Sequence, residues 1–261
     1  MSATTPASTM PVLFVGHGSP MNALEDNAFT RGWQNVARRI PKPRAILCVS
    51  AHWESNGVYV SSAQAPETIH DFYGFPQALF DVRYPAPGNP LLAQRVAQTA
   101  KSTQVHTTSE YGLDHGAWSV LRIMYPDADI PVLQFSLDTA QPGTFHYRLG
   151  QDLGALRDDG VLLLASGNIV HNLRLFRFHD PVAADWAARA DAIIRARINS
   201  GDHGALADWH GLGADVALGI PTPEHYLPLL YVLGAQRKDD EIHIFNDTVT
   251  SAISMTSVLI G

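Results

Sequence analysis

Six short apolar runs, at residues 11–15, 45–50, 57–62, 130–136, 161–165 and 241–245, recur along this chain, and stretches with helical spacing lie between several of them. This alternation limits the possible folds sharply. Strands separated by helices predict an α/β protein with a mostly parallel central sheet, flanked by helices on both faces. "NAFTRGWQNVARRI" (27–40) carries apolar residues at helical positions, and "NPLLAQRVAQTAKS" (89–102) opens with Asn89 as N-cap and Pro90 at the first helical position. "GTFHYRLGQDLGALRDD" (143–159) and "PVAADWAARADAIIRARINS" (181–200) are amphipathic in the same way. No linker, repeat or low-complexity stretch exceeds loop length, so residues 11–261 read as one domain behind a flexible tail, 1–10. The segment 64–90 differs, being rich in proline and aromatic residues with little periodicity. A long irregular segment in a compact domain is usually functional, here as the wall or cover of a pocket for a flat ligand.

Composition removes several classes of function. A net charge of −7, with no basic cluster denser than "RRIPKPR" (38–44), argues against nucleic acid or an anionic membrane as partner. The longest apolar runs are far too short to cross a bilayer, and "MSATTPASTM" has neither the basic nor the apolar region of a signal peptide. Cys48 is the single cysteine, which excludes an internal disulfide, suits a cytoplasmic location and reads as a core thiol in "RAILCVS".

The chain has 12 histidines, and their positions matter more than their number. His17 follows the first apolar run, His52 the second, and His171 comes soon after "VLLLASGN". In an open parallel sheet ligands bind beyond the carboxyl ends of the strands, so these three would face one crevice if their strands are neighbours. His115 precedes the helix-like "AWSVLRIMYP", and His225 falls in the first turn of a helix starting near Pro223. Any one of them could be a hydrogen-bonded structural histidine. Together, beside glycines and helix starts, they indicate a metal, since neutral imidazole suits Fe, Zn, Cu or Ni. His106, His146, His179, His203, His210 and His243 read as ordinary histidines in helix-like or strand-edge contexts, while His70 lies in the irregular segment. "GHGSP" is not a G-x-S-x-G elbow, and the chain has no P-loop and no H-E-x-x-H motif.

At these residues the sequence resembles the class III extradiol ring-cleaving dioxygenases. The matching stretches are "GHGSPMNAL" (16–24), "VSAHWES" (49–55), "HDFYGFP" (70–76), "GLDHGAW" (112–118), "SLD" (136–138), "SGNIVHNL" (166–173) and "PEHYLPLLY" (223–231). The resemblance implies a non-haem site with Fe(II) in the active enzyme, which Zn(II) can also occupy. It places His17, His52 and His225 as metal ligands, His171 as ligand or neighbouring base, and His115 as the pocket histidine assisting dioxygen and proton transfer. Much of the wider family uses a glutamate ligand. Here Glu224 adjoins His225, and residues adjacent on a helix point about 100° apart, so the two cannot both face the metal; His225 is preferred.

The implied reaction is opening of a catechol ring, DOPA-like or related, by O2 to give a semialdehyde. The metal would hold both reactants, and His115 or His171 would move the proton. Ser19, Trp53, His70, Phe72 and Tyr73 are the candidate substrate contacts, with Phe75 as a further aromatic that could stack on the ring. Arg83, Arg122 and Arg174 are candidates for a charged tail. The alternatives on the same residues are a zinc-dependent hydrolase and a metal-binding protein without catalysis.

Overall fold

The computed structural model describes residues 9–177 and 182–261. Among the described residues ten strands form two sheets: β1 (Val12–Gly16), β2 (Ala45–Glu54), β3 (Val58–Ser61), β4 (Val105–Thr108), β5 (Val132–Leu137), β6 (Val161–Gly167), β7 (Ile242–Phe245), β8 (Val249–Thr250), β9 (Ile253–Ser254) and β10 (Ser257–Ile260). The helices are α1 (Ala28–Arg39), α2 (Gln77–Phe80), α3 (Pro90–Thr99), α4 (His115–Met124), α5 (Gly143–Leu153), α6 (Asp185–Ser200), α7 (His203–Ala207), α8 (Ala214–Gly219) and α9 (Leu227–Gly234).

The main sheet runs β4-β3-β5-β2-β6-β1-β10-β7. Its centre, β5, β2, β6 and β1, is parallel throughout, and antiparallel pairs occur only where β3 and β10 join it and between β10 and β7. The parallel centre explains the continuous apolar runs: a strand covered on both faces cannot alternate with polar residues. Val12 and Phe14 enter one core cluster, Leu13 and Val15 the other, and Leu47/Val49 and Ile46/Cys48 repeat the division. That is the two-residue period of a strand, with helices over each face. Helices α3, α5, α6, α8 and α9 pack their buried apolar side chains into the first cluster, whereas Trp33 of α1 and Val120 of α4 pack into the second.

Helix starts follow the cap chemistry. Asn27 and Thr30 form a reciprocal capping box at α1, and the Asn89 side chain accepts from Leu92 N at 3.0 Å before Pro90. Each such cap contributes about 1 kcal/mol. The predicted helix over 143–159 divides into α5 and a 3-10 turn, 154–159; of the helix expected over 181–200, α6 is formed from Asp185 onward, and residue 181 lies outside the described residues. Residues 1–8 of the expected tail lie outside them too, whereas Met10 is buried and exchanges hydrogen bonds with Arg157. His179 also lies outside the described residues.

Four short strands, β4, β8, β9 and β10, lie outside the six apolar runs. "VHTT" is a solvent-edged strand with one buried residue, and "SVLI" follows closely on the β8–β9 hairpin. His225 precedes its helix instead of lying inside it. Tyr226 and Leu227 both donate to Pro223 O in a turn, and α9 begins at Leu227 with Pro228, which has no N–H to satisfy, in its first turn.

Candidate metal centre

Because β1, β2 and β6 run the same way, their carboxyl ends form one edge of the sheet. His17 is the residue after β1 and donates its backbone N–H to Gly167 O at the end of β6. His52 lies inside β2, which extends four residues past the predicted run through an irregularity between Val49 and Glu54. His115 opens α4, and the turn carrying His225 is fastened to β6 by Asn168 N–H donating to His225 O. His171 follows β6 and donates its N–H to Gly219 O.

These five histidines come together. Ring centroids are 5.1 Å apart for His17 and His52, 5.3 Å for His17 and His225, 5.1 Å for His52 and His225, 3.8 Å for His52 and His115, and 3.5 Å for the stacked His171 and His225. Nitrogens of His17, His52 and His115 form one possible metal-binding group, and those of His171 and His225 form another with a Glu224 carboxylate oxygen.

Hydrogen bonds fix which ring nitrogens carry protons. Ser166 Oγ donates to Gly116 O at 2.6 Å, so it accepts from His17 Nδ1–H at 2.9 Å and leaves a lone pair on His17 Nε2. Glu224 Oε1 accepts from His225 Nδ1–H at 3.0 Å and from the Thr222 hydroxyl at 2.9 Å, leaving His225 Nε2 free. Asp71 Oδ2 accepts from His115 Nδ1–H at 2.9 Å. Carboxylates and hydroxyls behind imidazoles set ring orientation and raise ligand basicity in metal sites.

Burial, and after it the neighbouring histidines, hold His17 and His225 well below the usual histidine range. Burial likewise lowers His52 to about 3 and His171 to about 4. All four are neutral at pH 7 and present lone pairs, the form that binds metal.

The donor set fits a divalent transition ion. His17 Nε2 and His52 Nε2 lie 3.3 Å apart. Two nitrogens at ~2.1 Å from one ion, separated by a roughly 90–109° angle, stand about 3.0–3.4 Å from each other. In the metal-free protein His52 Nε2–H can donate to His17 Nε2, and a metal ion would take the place of that proton.

The Glu224 carboxylate supports His225 from behind its Nδ1. His115 is held at N and Nδ1 by Asp71, a residue missed in the sequence because the two are 44 positions apart. Also missed was Asp114, a fully buried carboxylate that accepts from Ser50 Oγ, Gln134 Nε2, Tyr111 OH and Ala117 N. Left unpaired it would cost several kcal/mol; bonded, it caps α4 and locks the start of the helix at His115. Burial raises its pKa, and nearby Asp71 adds to that.

The aromatic candidates separate. Phe72 sets its ring edge against His115, with centroids 5.6 Å apart, and also touches His70, Phe75 and Phe80. His70 Nε2 is 3.0 Å from Val82 O, which anchors the irregular segment 64–90. Trp53 instead stacks on Tyr111, centroids 4.1 Å apart and planes 4° from parallel. Tyr73 is 92% exposed, and the Ser19 hydroxyl caps the 3-10 turn Pro20–Ala23 by accepting from Met21 N. Arg83 donates to Phe80 O and Val82 O, and Arg122 to Ala23 O. Away from the cluster, His146 bonds Tyr231 OH, His203 bonds Tyr147 OH and His106 lies beside Tyr59.

Residues 5–258 match the family model described as the catalytic LigB subunit of aromatic ring-opening dioxygenase. The chain belongs to this family, and it is an aromatic ring-opening dioxygenase of the extradiol class, which acts on a small molecule together with O2. It is 47% identical to a protein of Escherichia coli K12 named 4,5-DOPA dioxygenase extradiol, over 98% of this chain and 96% of that one. A Beta vulgaris protein of the same name is 36% identical over 90% of each chain. A crystal structure of an uncharacterized Escherichia coli K12 protein superposes with a TM-score of 0.84 at 43% identity, covering 97% of this chain and 100% of the other. Among the described residues, no helix is long and apolar enough to cross a membrane.

Proposed function

We propose that this protein is a non-haem Fe(II)-dependent dioxygenase that opens the ring of a catechol, DOPA-like or related, next to its hydroxyl-bearing carbons. The reading is carried by one observation: five clustered histidines, three of them with Nδ1 already engaged by Ser166, Glu224 and Asp71. His17, His52 and His225 would hold the iron, and Zn(II) would occupy the same donors. When bound, the ion supplies Lewis acidity and a template for catechol and dioxygen.

The side chains around it handle protons and position. His115, protonated at Nδ1, offers Nε2 to receive a catechol proton and to return it during ring opening. His171, lowered to about 4 by burial, is the second base and stays neutral until it takes a proton. Phe72 and His70 provide the wall for the aromatic ring. Residues 11–261 act as a single catalytic domain. The lone buried Cys48 suits a reducing cytoplasm.

Metal exchange tests the reading. The metal-free protein, reconstituted with Fe(II), should consume O2 with a catechol, and reconstitution with Zn(II) should not restore consumption. Oxygen-independent hydrolysis restored by zinc alone would overturn it.

A further inference from the structure

We propose that Asp71 is a positioning residue that fixes the tautomer and orientation of His115. Asp71 uses both carboxylate oxygens on this one residue: Oδ1 accepts the His115 backbone N–H and Oδ2 the Nδ1–H, each at 2.9 Å. Backbone and ring are therefore held from one point. The imidazole has no freedom to turn, and its remaining lone pair sits at Nε2. Oδ2 also lies 3.7 Å from His52 Nδ1, so the same carboxylate faces two of the clustered rings.

Asp71 is itself held rigidly. Ile69 N–H donates to Leu113 O, and Leu113 N–H to Glu67 O. Trp118 Nε1–H donates to Ile69 O at 2.8 Å. On its other side Phe72 packs against His115. The segment before Asp71 is thus zipped to the residues around the start of α4, and the carboxylate cannot drift from the ring it orients. This inference rests on the proposed proton-transfer role of His115.

The test combines a tautomer measurement with kinetics, using zinc-loaded and Fe(II)-loaded protein respectively. In ¹⁵N-histidine spectra of the zinc-loaded protein, the signals lost in His115→Gln identify His115. The wild type should show the neutral Nδ1–H form, and Asp71→Ala should replace it wholly or partly by Nε2–H. With Fe(II), Asp71→Ala should lower kcat on a catechol by roughly 10–100-fold, with metal content unchanged and KM within about threefold. Asp71→Asn, which keeps the shape but has one acceptor oxygen for two N–H groups, should also lose activity and serves if the alanine variant does not fold. A wild-type tautomer pattern in the variant, or unchanged kcat, overturns the proposal. If iron-loaded wild-type protein has no catechol activity, the reading of the site fails, while the spectra still judge Asp71 by themselves.

Discussion

His171 and His225 lie ring on ring, with centroids 3.5 Å apart and planes 13° from parallel. Two imidazolium ions could not stack this closely without strong repulsion, so the arrangement allows at most one of the rings to be protonated. Burial lowers both, and each ring lies beside a further lone-pair donor. The cluster is therefore an assembly of neutral ligands whose natural competitor is the proton.

Acid should loosen the metal-free protein through these residues. Their pKa in the unfolded chain is about 6.5, against about 4 for His171 and about 3 for His52 in the folded protein. Between these limits the unfolded state binds more protons, so stability is complete above pH ~6.5 and falls as pH drops toward 4. Thermal unfolding of the metal-free protein from pH 8 to 4 should show a plateau followed by this decline. His171→Gln should make the decline shallower.

Removing His225 or Glu224 separates a ligand from its support. His225→Ala should abolish stoichiometric metal binding, whereas Glu224→Ala, which deletes only the acceptor behind Nδ1, should weaken binding roughly 10–100-fold. Metal content and affinity measured on the two variants give the order directly. The reverse order would make Glu224 the ligand.

Close packing around His52 predicts a steric effect. A Cβ at Gly116 would stand 2.5 Å from Ser50 Oγ and 2.8 Å from His52 Cδ2. Gly116→Ala should therefore displace the His52 ring, costing about 1–3 kcal/mol of stability as overpacking does. It should also reduce metal affinity, which calorimetry on the folded variant would show.

Trp53 belongs to a different contact. Its indole is stacked on Tyr111 and buried. Trp53→Ala should cost about 3 kcal/mol or more of stability, with the KM for a catechol nearly unchanged; a large rise in KM at preserved stability would return Trp53 to the substrate wall.

The sheet was legible in the sequence because a strand buried on both faces must be continuously apolar, as 45–50 and 161–165 are. The site histidines were legible because turn and strand-end positions place them at one edge. What held them in place was not. Asp71 with His115, and Ser166 with His17, are 44 and 149 residues apart, and only the closed fold makes them neighbours. The glycines of "GHGSP" also answer to a contact far along the chain. A Cβ on Gly16 would meet the Met255 backbone at 2.7 Å, and one on Gly18, at φ 59°, the Met255 sulfur at 2.5 Å. These glycines admit the β9–β10 connection.

This histidine centre should open a catechol with dioxygen. Protein reconstituted anaerobically with Fe(II) to confirmed full loading, mixed with a catechol panel and then exposed to O2, tests it most directly. A new visible absorbance of a semialdehyde product should appear only after oxygen enters, with one O2 consumed per catechol and no such change in His17→Ala. No absorbance and no oxygen uptake with any catechol at full iron loading would contradict it.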